Sequence, residues 1–93
     1  MCVEFHNRAK EKFFSILKAF EDAISNVSRR KEEYKYQQSK TRYASIMEQE
    51  LQAIAKDILT KHKDKNRATG IDQMFHQFIR DYLHRFIQKV NAL

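Results

Sequence analysis

The chain has 93 residues, room for one domain, and is 42% hydrophobic, 32% charged and 12% aromatic, with a net charge of +6. It has no proline, one glycine (Gly70) and one cysteine (Cys2). That leaves too few turn residues for an all-β or α/β fold, no cysteine pair for an internal disulfide, and no run of roughly 20 apolar residues to span a membrane.

The first element is a helix over about 3–28. Its apolar positions are Phe5, Ala9, Phe13, Ile16, Leu17, Phe20, Ala23, Ile24 and Val27, spaced by threes and fours along one face. The sequence around Cys2 carries an acidic residue and no long apolar run. It does not read as a secretory signal, and a cytoplasmic, intracellular setting is the expectation.

Residues 29–42 are expected to form a basic connector. Most of them tolerate a helix, so the turn is argued from phase instead. Val27 and Ile54 are 27 residues apart. At 3.6 residues per turn, about 7.5 turns separate them, and one straight helix would point the two apolar stripes in opposite directions. A turn within 28–42 resolves this, with Ser39 and Thr41 as candidate caps for the next helix. The alternative is one long helix offering different faces to different partners.

The second helix is expected over about 43–61, on Tyr43, Met47, Leu51, Ile54 and Ile58. A basic loop follows over 62–70, containing Asn66, Thr69 and Gly70. The third helix is expected over about 71–92, with Asp72 near the positive end of its dipole. Its apolar pairs Met74-Phe75, Phe78-Ile79, Tyr82-Leu83 and Phe86-Ile87 cover close to half its circumference. The fold class is therefore all-α: three amphipathic helices in an antiparallel bundle, with a long helical hairpin that dimerises as the alternative.

Charge is unevenly placed. Residues 29–42 hold six basic and two acidic groups, and residues 61–67 hold four basic and one acidic. Arg29, Arg30, Lys31, Lys35, Lys40 and Arg42 are candidate contacts for an anionic partner, with Tyr34 and Tyr36 as candidate stacking rings. Lys61, Lys63, Lys65 and Arg67 form a second cationic group. The plainer reading of both is a solvated connector whose cations complement helix C-termini. On the apolar side, Phe14, Phe75, Ile79, Leu83 and Ile87 are candidates for a dimer or partner interface, against the plainer reading that the third helix packs on both others.

Catalytic chemistry has little support. One glycine excludes a phosphate-cradling loop, and there is no His-Glu-x-x-His and no paired cysteines for zinc. His76 and His84 lie two turns apart, and His6 and His62 are isolated. No carboxylate pair stands in an apolar setting, and Cys2 has no base beside it. The long helices and connectors do not match a helix-turn-helix.

The leading expectation is a non-catalytic helical interaction protein, of adaptor, inhibitor or immunity type, that binds a protein partner with an acidic surface and needs no cofactor or metal. The alternative is sequence-nonspecific nucleic-acid binding through residues 29–42. Homodimerisation is compatible with either.

Overall fold

A computed structural model describes residues 2–28, 30–61 and 71–93, without the side chains of Cys2, Ile71 and Asp72. It contains three helices: α1 (Cys2–Ile24), α2 (Glu33–Lys61) and α3 (Ile71–Ala92). They run up, down and up. Phe5 near the start of α1 meets Phe75 near the start of α3 at 5.0 Å between ring centroids, and Phe13 meets Phe86 at 6.1 Å, so these two helices are parallel. Arg8 and Lys12 of α1 reach Asp57 and Glu50 of α2, which therefore runs the other way. The chain is an antiparallel three-helix bundle.

The core divides by chemistry. From α1 and α3 come mostly aromatic rings, Phe5, Phe13, Phe20, Phe75, Tyr82 and Phe86, and from α2 mostly aliphatic chains, Met47, Leu51, Ile54 and Ile58. The rings meet tilted or edge-to-face, which adds about 0.5–1.5 kcal/mol per pair beyond the area buried. Among the described residues no polar or charged side chain other than tyrosine is buried.

The expected boundary between the first two helices needs correction. The first helix stops at Ile24 rather than 28, and the second starts at Glu33, ten residues before 43. The turn falls over 25–32, at the front edge of the window the phase argument allowed. Ser25 ends α1: its hydroxyl donates to the Asp22 carbonyl at 2.8 Å, and its amide bonds the same oxygen at 3.3 Å. A short polar side chain competing for the backbone in this way disfavours further helix.

The Ser28 carbonyl then accepts from the Lys31 and Glu32 amides, and the Glu32 carbonyl opens α2 by accepting from Lys35 and Tyr36. Ser39 and Thr41 lie inside α2 and cap nothing.

Tyr36 draws the helix forward. It is 1% exposed, its ring meets Phe20 of α1 at 5.9 Å, and its hydroxyl donates to the Val90 carbonyl of α3 at 2.9 Å. With it, the inward positions of α2 run 36, 40, 43, 47, 51, 54 and 58 without a gap. At 1.5 Å per residue, the 29 residues of α2 span about 43 Å, the longest element of the bundle.

Tyr36→Phe removes one buried hydrogen bond and should cost about 1 kcal/mol, a fall in Tm of about 5 °C for a chain this size. Tyr34→Phe, on a ring 63% exposed, should leave Tm unchanged. Thermal melts followed by circular dichroism compare the two, and equal Tm values would remove Tyr36 from its role.

Candidate interaction surfaces

The structure scatters the first basic group. Arg30 and Lys31 are exposed in the α1–α2 turn, while Lys35 and Arg42 are exposed on α2 itself. Lys35 is paired with Glu32, and half-buried Lys40 donates to Asn91 Oδ1 of α3 at 2.6 Å, so Lys40 fastens two helices. Lys61 bonds Glu4 at 3.4 Å and Asp57 at 3.5 Å. Arg29, Lys63, Lys65 and Arg67 lie outside the described residues.

Of the two candidate stacking rings, Tyr34 is exposed and Tyr36 is not. The Tyr36 ring is enclosed by the core and cannot offer its face to a base, because burying it satisfies both its apolar surface and its hydroxyl.

The apolar candidates divide in the same way. Phe75 and Ile79 are buried in the core, and Leu83 and Ile87 are partly buried against it. The width of the α3 stripe is thus consumed by packing on two helices. Phe14 alone of the five stands out, at 63% exposure.

Phe14 does not stand on a bare surface. At 100° per residue, Val3, Lys10, Phe14 and Leu17 fall within about 60° of one another on α1. His6, which meets Phe78 of α3 at 4.7 Å, lies about 20–80° around the helix from these residues, so they flank the side of α1 that faces α3. Val3 and, across the seam, Met74 are also exposed. The backbones of α1 and α3 are the least closely apposed of the three helix pairs, with aromatic rings packed between them. A shallow cleft of about 150 Å³ opens along this seam, lined by His6, Phe78, Asp81, Tyr82 and Arg85. That is below the 300–1,000 Å³ usual for small-molecule sites.

Inside the cleft His6 Nδ1 and the Tyr82 hydroxyl are 3.0 Å apart. Burial pushes the Tyr82 phenol above its ordinary value of 10.0, with Arg85 opposing. Arg85 lies 5.8 Å over the Tyr82 ring, and Asp81 accepts from Gln77. The pair ties α1 to α3, and neither group is aimed at a nucleophile. Among the described residues no cluster of three His, Cys, Asp or Glu is placed to hold a metal ion, and no helix is long and apolar enough to cross a membrane.

The α1–α2 seam is different again. Arg8 donates to Asp57 at 2.7 Å and to Glu4 at 3.3 Å, and Lys12 meets Glu50 at 3.5 Å. The Arg8 bond, helped by Lys61, holds the Asp57 carboxyl below its ordinary 3.8. The Lys35 bond, helped by the Ser28 amide, holds Glu32 below 4.5. Nothing in the sequence spacing marks these cross-helix pairs, because they depend on register between helices 49 and 38 residues apart.

Comparison with protein-family models, with curated proteins and with solved structures finds no match to this chain.

Both carboxyls have folded values below their unfolded ones. Their stabilisation is complete above the unfolded values and is lost as pH falls through the folded ones. Tm should be level between about pH 7 and pH 5 and drop below about pH 4. In Arg8→Gln the drop should be shallower, since Asp57 then keeps only Lys61 to hold it below its unfolded value. Melts at pH 6 and pH 3 measure it, and an equal drop in both proteins would exclude the Arg8–Asp57 linkage.

Proposed function

We propose that this chain is a non-catalytic helical interaction protein whose docking face is the α1–α3 seam, and that its occupant is an acidic amphipathic helix of another protein. The observation that carries the reading is Phe14. The rest of the large aromatic set is spent on the core, apart from Tyr34 at the start of α2, whereas Phe14 lies 63% exposed beside the helix pair whose backbones are least closely apposed.

Exposed Val3 and Met74 flank the same seam and lengthen the apolar track. From Val3 to Leu17 the track runs about 21 Å, the length of four helical turns. Helix-in-groove recognition uses apolar anchors at this spacing.

Charge selects the occupant. Lys10 and Lys18 stand one turn either side of Phe14, and Arg85 and Asp81 line the opposite wall. Glu11, Glu21 and Asp81 match these cations in number, so the preference for an acidic occupant rests on the +6 of the chain as a whole. Two copies meeting through this face would bring their like net charges of +6 together, which disfavours a homodimer there. An acidic helix meets no such opposition.

The test joins two measurements on the full chain. Light scattering at tens of micromolar should report a monomer. A partner identified by capture from the source organism, then purified, should bind at least tenfold more weakly to Phe14→Ala than to the parent, while Tyr34→Ala binds as the parent does. A dimer that dissociates in Phe14→Ala would assign the face to a second copy. Unchanged affinity in Phe14→Ala would exclude the face.

A further inference from the structure

A second surface lies on the outward side of α2 and is independent of the Phe14 face. Lys35, Arg42 and Lys56 are spaced by 7 and 14 residues, so at 100° per residue they fall within about 60° of one another. Gln38, Ser45 and Gln49 fill the positions between them, and all six residues are exposed. The strip holds no carboxylate of α2, although its first cation, Lys35, is bonded to Glu32 of the preceding turn.

The acids of α2 stand aside from it. Asp57 and Glu50 lie on the α1-facing flank, where Arg8 and Lys12 bond them. Glu48 is about 120° from Arg42 around the helix, and Glu33 is on the opposite side. Two further cations, Arg30 and Lys31, are exposed in the turn that precedes α2. The row from Lys35 to Lys56 is about 31 Å long and straight, because a single helix carries it.

We infer that the outward face of α2 binds the phosphate backbone of duplex nucleic acid without reading its sequence. A straight row of about 31 Å runs along roughly nine base pairs at 3.4 Å each. Its cations neutralise phosphates, and its amides and hydroxyl donate to phosphate oxygens. Single strands are bound by stacking bases on aromatic rings as well as by charge. Only one exposed ring, Tyr34 in the first turn of α2, stands at the edge of the strip, about 20° from Ser45, and one ring cannot stack successive bases along about 31 Å; Tyr36 is enclosed in the core. A duplex, whose bases are already stacked, needs none. A membrane surface is a poorer fit, since the strip offers no large apolar side chain to insert.

Fluorescence anisotropy of the full chain with a labelled 20-base-pair duplex tests this. About four phosphate contacts should weaken binding roughly a hundredfold between 50 and 200 mM salt. Arg42→Gln/Lys56→Gln should bind at least tenfold more weakly at 50 mM and halve the slope against log salt. Lys10→Gln/Lys18→Gln removes the same charge from α1 and should lose less than threefold. All four side chains are exposed, and far-ultraviolet circular dichroism confirms that both variants keep their helices.

Phe14→Ala should bind the duplex as the parent does, which separates this surface from the proposed protein-docking face. No binding at 50 mM salt would overturn the inference. Equal losses in the two double variants would reduce it to net charge. Tighter binding of a 20-nucleotide single-stranded RNA than of the duplex would replace backbone contact by another mode.

Discussion

The hydroxyl of Tyr36, given to the carbonyl of Val90, is the bond on which the layout of the bundle turns. Its ring packs on Phe20, so one side chain joins α1, α2 and α3 at a single end. The residues around it, Lys35, Gln37 and Gln38, are exposed and would hold the first turns of α2 to nothing. With Tyr36 seated, the helix begins at Glu33 and the connector shrinks to a tight turn. The polar residues of 33–42 then become one end of a long rod, and the rod is what gives the outward face its straight run of cations.

The ion pairs matter more for where they put charge than for the stability they add. Exposed pairs of this kind contribute between nothing and about 1 kcal/mol each. Arg8 and Lys12, however, hold the carboxylates of α2 on the seam with α1. Two of the four carboxylates of the rod, Glu50 and Asp57, are thereby matched on that flank. The outward face of α2 points away from both neighbours, while the Phe14 track lies along the seam between those neighbours. The two surfaces are on different sides of the molecule and do not compete for space.

The fold was largely legible in the sequence, because threes and fours of apolar residues with one glycine and no proline leave little but helices. The phase of Val27 against Ile54 favoured a turn over one long helix, and a turn is found. Its position was misread because no glycine or proline marks it. The signal was Ser25-Asn26, two short polar residues at the end of the first stripe, and Tyr36, whose spacing to Tyr43 and Met47 continues the second stripe upstream through Lys40. Tyrosine and lysine both bury an apolar stem under a polar tip, which is why a reading by polarity put them outside.

The surfaces were less legible. Phe14 was visible as an apolar residue off the main stripe. Phe75 and Ile79 could not be told from interface residues by periodicity, since a helix packed on two neighbours and a helix with a spare face show the same wide arc. The His6–Tyr82 contact spans 76 residues, and no local pattern announces it.

The up-down-up path also bears on how the molecule assembles. Two of its three seams join helices adjacent in the chain, and such local contacts form at small loop-closure cost. Only the α1–α3 seam joins distant segments. Its rings, Phe5 and Phe13 against Phe75 and Phe86, meet across the longest stretch of chain that the fold closes. The seam beside the proposed protein-docking face is therefore the one whose closure costs the most chain entropy.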